Sequence, residues 1–551
     1  MATSACWVKM NTELQKIARE YFEYMARSFP VMCASDEFDF MPRSETADRY
    51  YDRLDSLDVS VIRRHVAQLE QYLGGFQDLE SINLQTNERI DLELLKCNVM
   101  GALIEFKHAK SWKHNPLLYL KVGFIGLDHA LTKPADDFGE IVHRFKSRLS
   151  RLPDLLRQGM KNLQDIPESY HRAALSMVRD SKSYLREVSF DSKIKSIQGV
   201  NELLEDARRS LDLYSRFLKN SGFVQDQDVN LSTLKMRLRE HFAVRRSTEE
   251  IYEIAREEWD RVLAKLTRLS AEIDPEKSWQ ELYENYTPVD GYVETHTLYR
   301  NEINHLKEHL AQGGLLEIIE NAPLSLRETP TYLRSVRSSA SFSAPFSSDP
   351  REEAIFYITS TPDRSNQKTH GAILKRLHKE YRFLTAHETY PGHHLLDTFR
   401  RKSQNPVRRQ VESPLFYEGW AYYAESLPIE SGYIQDPVEI LVDLKRQLWR
   451  SARCQIDAGL ASGKLTKEDT VVLLQDVNFS KEEAISQVNR FGLNPGYQLC
   501  YSLGRYEIKR LRKTYAPLLG TKTFHKLLLE GGELPFHLAE LNLKYRTPGV
   551  N

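Results

Sequence analysis

The chain has 551 residues and a mass of 64.1 kDa, with 41% hydrophobic and 28% charged residues. That composition excludes a disordered chain, and the length amounts to roughly two to four domains' worth of residues. Lys+Arg is 76 against Asp+Glu 77, a formal charge of −1, which argues against a nucleic-acid binder or a membrane anchor held by bulk charge.

From the N-terminus, MATSACWVKMNTELQKIAREYFEYM has no apolar stretch of signal-peptide length and turns amphipathic at once. No apolar run anywhere reaches the roughly 20 residues that span a bilayer. Residues 51–73 place Leu54, Leu57, Val61, Val66, Leu69 and Leu73 at helical spacing, which predicts a helix. Segments 88–106, 139–164, 168–188, 199–219 and 247–271 repeat the pattern. At 322–368 the composition turns to Ser and Pro, with β-leaning pieces at 339–343 and 354–360. That predicts a loop and a small antiparallel β-hairpin near 339–361. Helical periodicity returns over 371–401 and persists to about 530. The expected fold is mostly α, in two helical halves, 1–320 and 321–551, with the chemistry in the second. Cys6, Cys33, Cys97, Cys454 and Cys500 are scattered and form no CxxC. A disulfide framework and a cysteine zinc site are both disfavoured, and a reduced, cytoplasmic protein is expected.

The informative segment contains His387-Glu388, Pro391-Gly392 and His393-His394, and Glu418-Gly-Trp-Ala-Tyr-Tyr-Ala-Glu425 follows it. The zincin motif HExxH sets two His on one helical face with a Glu after the first, but here position 391 is Pro. On a regular helix His393 would sit about 9 Å along the axis from His387 and about 240° around it, and His394 about 10.5 Å along on the same face. The helix must therefore be interrupted. Pro391 removes a hydrogen bond and Gly392 frees the backbone. A two-residue bulge there would bring His393 to the second ligand position, with His394 as the alternative. Glu418 leads as third ligand to Zn²⁺, ahead of Glu412, with a fourth position left open. Glu388 would be the general base on the water. Asp397, four residues after His393, could hold that imidazole; an exposed helix carboxylate is an equal reading. The bland alternative for the whole cluster is a polar helix turn with capping histidines.

HETYPGHH followed by EGWAYYAE resembles the hallmark pair HExxPGHH…EGWAxYAE of domain-of-unknown-function family 885. That family is allied to helical gluzincin-type metallopeptidases such as thimet oligopeptidase, carboxypeptidase Taq and angiotensin-converting enzyme. Asn115-Pro-Leu-Leu-Tyr119, Ile456-Asp-Ala-Gly-Leu460, Arg490 and Pro495-Gly-Tyr-Gln-Leu-Cys-Tyr501-Ser-Leu-Gly504 extend the resemblance over about 45 to 520. The resemblance implies two helical halves around a deep active-site cleft suited to short substrates. It supports Glu418 as ligand, because Glu425 follows at the seven-residue spacing of the allied families. It also implies that Tyr501 stabilises the tetrahedral oxyanion and that the strand Ile355–Thr361 is an edge that pairs with an extended peptide. Departures from the family pattern fall at Ala461, where His is usual, at Gln487, where an acidic residue is expected, and at Phe491, where Tyr is usual.

Trp420, Tyr417, Tyr422 and Tyr423 could line a pocket, or could be helix-packing aromatics. Arg490 and Arg505 could bind a substrate carboxylate; Arg510 reads as a surface ion-pair residue. His305-Leu-Lys-Glu308-His309 matches the inverted zincin motif but lies in a polar stretch that ends in Gly-Gly, so an exposed helix face is favoured. No P-loop, Rossmann or serine-hydrolase motif occurs. The expectation is a zinc hydrolase of a peptide or related amide bond. Its partner would be a short peptide or amide-containing small molecule, with no nucleic acid and no membrane. The alternatives are a non-haem Fe(II) enzyme using the same His, His and Glu, and a non-catalytic metal-binding descendant.

Overall fold

The structure, a computed structural model, describes residues 12–225, 231–289, 293–319, 322–347, 349–359 and 367–547. Among them the chain is mostly helical, with one three-stranded sheet. The longer helices before the sheet are α1 (Thr12–Ser28), α2 (Val59–Asp78), α3 (Thr86–Leu103), α4 (Pro116–Thr132), α5 (Phe138–Asn162), α6 (Glu168–Phe190), α7 (Val200–Ser221), α8 (Thr248–Ile273) and α9 (Thr295–Gln312). After it come α10 (Gln367–Lys379), α11 (Tyr381–Glu388), α12 (His393–Lys402), α13 (Pro414–Ala424), α14 (Pro437–Ser462), α15 (Lys467–Asp476), α16 (Lys481–Phe491), α17 (Cys500–Leu519), α18 (Thr521–Glu530) and α19 (Phe536–Arg546). No helix among the described residues is long and apolar enough to cross a membrane.

The helix expected over 51–73 starts only at Val59. Asp58 stops it from extending backwards: its carboxylate accepts from the Ser60 N–H at 2.8 Å and caps the first turn. Leu57 is nevertheless fully buried, so the apolar spacing there records packing of an irregular segment. The largest apolar core gathers Leu14, Leu95, Phe124, Leu211, Leu306, Leu395, Trp420 and Leu543, and so draws on residues both before and after 320. A second core packs α8 against α14 through Val262, Leu266, Leu441, Leu448 and Ile456.

The expected antiparallel pair forms as β2 (Ala340–Ser343) and β3 (Ala354–Ile358), with Phe342 opposite Phe356. A further strand, β1 (Leu324–Glu328), lies parallel to β3, giving the order β1-β3-β2. The expectation that Ile355–Thr361 is an open edge is therefore corrected. β3 is hydrogen-bonded on both sides, and β2 is the edge whose residues reach the cleft. Residues 360 and 361 lie outside the described residues.

Candidate metal centre

α11 ends at Glu388 and α12 begins at His393. The expected two-residue bulge is instead a full break, residues 389–392, with a cis Tyr390-Pro391 peptide. A Cβ on Gly392 would lie 1.8 Å from the His387 carbonyl oxygen and 2.5 Å from that of Ala386. Only glycine lets the new helix start this close to the end of the old one. The Trp420 indole N–H donates to the Pro391 carbonyl at 2.9 Å and ties the break to α13; Trp420 is core, not pocket lining. The result sets the His387 and His393 rings 4.8 Å apart and nearly perpendicular.

Glu418 arrives from α13, which crosses α17 at a backbone-to-backbone contact. A Cβ on Gly419 would lie 2.6 Å from the Gly504 Cα, and one on Gly504 would lie 2.3 Å from the Leu415 carbonyl oxygen. The close crossing lets the Tyr501 hydroxyl donate to Glu418 Oε1 at 2.9 Å, and Tyr497 donates to the same oxygen at 2.5 Å. Glu418 Oε2 has no hydrogen-bond partner, though it is buried. It lies 3.4 Å from His387 Nε2 and 3.6 Å from His393 Nε2. Two ligands about 2.0–2.1 Å from a tetrahedral Zn²⁺ stand about 3.3 Å apart, so this donor set fits such a cation. Glu388 is beside it: His387, Glu388 and His393 each offer a ligand atom within 4.8 Å of the others.

The surroundings are charged in a definite pattern. His387 Nδ1 is 2.8 Å from Glu425 Oε1, and Arg446 and Arg450 hold the Glu425 carboxylate from α14. Burial opposes charge on His387, but the Glu418 and Glu425 carboxylates outweigh it and lift its pKa to about 9. Burial lowers His393 to about 4. Burial, with Glu418 adding to it against the opposing pull of His387, raises Glu388 to about 7. Asp457 accepts from the Gln498 and Leu499 N–H groups at 2.8 and 3.3 Å and so pins the turn that presents Tyr497 and Tyr501.

The other candidates divide. His394 turns away from Glu418 and lies edge-on to Tyr390 at 5.0 Å. Asp397 does not hold His393, whose Nδ1 has no hydrogen-bond partner. It pairs with Arg400, a guanidinium only 3% exposed that needs a counter-charge. Glu412 lines the cleft, but its carboxylate is bound by Arg43. Tyr422 and Arg505 do not reach the cleft: Arg505 donates to the Tyr422 hydroxyl at 3.0 Å and to Gln447 at 2.8 Å, within a buried cluster that includes Glu258. Tyr423 is likewise internal, bonded to His525 at 2.7 Å. Tyr417 stacks on His393 at 3.8 Å, and Arg490 lines the cleft. Gln487 and Phe491 also line it, whereas Ala461 is in the core. His305 and Glu308 are exposed, and His309 bonds Ser431. Tyr497, whose hydroxyl donates to Glu418 and which lines the cleft, is a site residue that the motifs did not single out. It sits in the quoted segment four residues before Tyr501, a spacing that one more helical turn would have made visible.

The centre opens into a cavity of about 420 Å³ between β2, α11, α14, α16 and the Phe38–Phe40 segment. A larger groove of about 910 Å³ lies elsewhere, along Lys96, Lys235 and His537, and holds no cluster of candidate metal ligands among the described residues.

The family described as "Bacterial protein of unknown function (DUF885)" matches residues 42–542. No curated protein matches the chain. Among solved structures, a "putative lipoprotein of unknown function" from Shewanella oneidensis superposes with a TM-score of 0.72 at 18% identity, covering 97% of this chain and 100% of that one. A "putative lipoprotein" from Colwellia psychrerythraea superposes at 0.76 and 15% identity, covering 97% and 99%. At these identities the likeness is one of fold.

Proposed function

The chain belongs to the DUF885 family, and from that premise we propose that it is a zinc-dependent hydrolase of a peptide or related amide bond, akin in its site to the helical gluzincin peptidases. The observation that carries the reading is the bare, buried Glu418 Oε2 facing His387 Nε2 and His393 Nε2 at 3.4 and 3.6 Å. His387, His393 and Glu418 would hold the cation, which supplies Lewis acidity. Glu388 takes the proton from the attacking water. Glu425 fixes the His387 ring through Nδ1. Tyr497 and Tyr501 share one acceptor oxygen, so Tyr501 can turn to the developing oxyanion without leaving Glu418 Oε1 bare. Glu388 favours a hydrolase over a non-haem iron oxygenase, which has no use for a base at that position.

The substrate is a short peptide or an amide-bearing small molecule admitted by the cavity. Buried, unpaired Cys33, Cys454 and Cys500 suit the cytoplasm, while the description of the two similar structures as lipoproteins favours a membrane-attached location; fractionation of cells that produce the chain decides.

Plasma mass spectrometry of the purified protein tests the centre. Near-stoichiometric zinc is expected in wild type and His394→Ala, with loss in His387→Ala, His393→Ala and Glu418→Ala. Glu388→Gln should keep the metal and lose hydrolysis of a peptide mixture. Iron in place of zinc, or no metal in protein kept from chelators, would sink the reading.

A further inference from the structure

The cleft's walls are unlike in charge balance. On one wall four acids have a basic partner: Asp36 and Glu37 pair with Arg337, Glu37 also with Lys121, Glu105 with Arg237, and Glu412 with Arg43, while Asp39 lines the same wall with Oδ2 free of hydrogen bonds. On the other, Arg376, Arg453 and Arg490 line the cavity, and none forms an ion pair among the described residues. Arg376 donates to Ser339 Oγ at 3.2 Å and Arg453 to Gln498 Oε1 at 2.9 Å. Both guanidiniums lie on the Trp449 ring, at 5.6 and 5.1 Å. Arg490, at the end of α16, has no such partner among the described residues and is exposed within the cleft. The acids that face these cations are engaged elsewhere: Glu37 with Lys121 and Arg337, Glu380 with Arg446, and Asp457 with the Gln498 and Leu499 N–H groups. Three clustered cations with no ion pair among the described residues make a site for an anion, and a guanidinium fork matches a carboxylate.

We infer that this wall anchors the free C-terminal carboxylate of the substrate at Arg490, flanked by Arg376 and Arg453, and that the enzyme is a carboxy-exopeptidase. The inference rests on the hydrolase reading above and adds a substrate class to it. Arg453 lies 4.0 Å from the Tyr501 ring centroid, and the Tyr501 hydroxyl bonds Glu418. Arg453, which lines the cavity with Arg490, is thus about one phenol ring away from Glu418. An extended residue spans about 3.3–3.6 Å, so the amide at the centre lies one or two residues from the terminus. There the water oxygen bonds to the carbonyl carbon and the C–N bond breaks. The leaving amine takes the proton that Glu388 removed from water, and a free amino acid or dipeptide departs.

The test compares N-acetyl-Ala-Ala-Phe with its C-terminal amide on the zinc-loaded full chain. The free acid should be cut with a kcat/KM about 10- to 100-fold higher, the range of a charge-assisted hydrogen bond. Arg490→Gln should erase the preference through KM, and Arg490→Lys should restore part of it. Equal cleavage of acid and amide, or a preference that survives in Arg490→Gln, Arg376→Gln and Arg453→Gln alike, overturns the anchor and leaves the hydrolase. If neither peptide is cut, calorimetric titration of both decides separately: tighter binding of the acid keeps the anchor without the hydrolase, and equal or absent binding removes it.

Discussion

Two junctions bring the proposed metal ligands together, and they are built differently. The α11–α12 break is local: Gly392 sits against the His387 carbonyl, and the consequence is the angle between two adjacent helices. The α13–α17 crossing is remote in sequence: Gly419 lies on Gly504 deep in the core, and the consequence is how two long elements pack. A fault in the first should misplace a histidine and spare the rest. A fault in the second should be felt by every residue packed around Trp420 and Leu503. The same donor set is thus secured once by a site-specific device and once by the fold itself.

The largest expected effect follows from the crossing. In Gly504→Val even the first added carbon would meet the Leu415 carbonyl oxygen at 2.3 Å. Overpacking of this kind costs about 1–3 kcal/mol or more, and backbone on the receiving side puts this case at the upper end. The urea midpoint should fall markedly, with metal lost as a by-product. Gly392→Ala also meets backbone, the His387 carbonyl oxygen at 1.8 Å, so its urea midpoint should fall too; the contrast is that its zinc content should be near zero while far-ultraviolet circular dichroism stays near wild type. Full zinc in Gly392→Ala, or a normal urea midpoint in Gly504→Val, would break the contrast.

A smaller effect is expected beyond the ligands. Glu425 touches His387 Nδ1 and is held by Arg446 and Arg450. Partners of this type typically change metal affinity about 10- to 100-fold when altered. Glu425→Gln keeps the shape but drops the charge, so zinc affinity measured by chelator competition should fall within that range. Asp397→Asn should leave it unchanged, because Asp397 serves Arg400.

The difference between the junctions also explains what the sequence made legible. His387, Glu388 and the Pro391-Gly392 interruption are short-range patterns, so a candidate metal site could be read from them, and the Glu418–Glu425 spacing added to it through the family resemblance. Helical periodicity announced most helices, and the β-leaning pieces at 339–343 and 354–360 announced the β2–β3 pair. Strand β1 was hidden because its five residues are mostly half-buried and carry no clean two-residue alternation. Asp397 was misjudged because helical spacing brings it near His393 in principle, while the nearby buried Arg400 claims it in fact. Tyr422 and Arg505 faced inward for a reason no local pattern records: Glu258, on the distant helix α8, completes their cluster.

Tyr497 and Tyr501 give the finest test, since both hydroxyls donate to Glu418 Oε1, at 2.5 and 2.9 Å. Removing one hydroxyl leaves the oxygen with a donor; removing both leaves a buried carboxylate oxygen bare, and an unsatisfied buried group of this kind costs about 1–3 kcal/mol. Tyr497→Phe and Tyr501→Phe should therefore each shift zinc affinity by less than about threefold, and the double variant by about tenfold or more, a coupling that a double-mutant cycle reads directly. Turnover should separate the two phenols where affinity does not. If Tyr501 turns to the oxyanion while Tyr497 stays on Glu418, kcat falls in Tyr501→Phe and holds in Tyr497→Phe. Additive affinities would mean that the two phenols act independently, and equal losses of kcat would mean that neither is the oxyanion donor by itself.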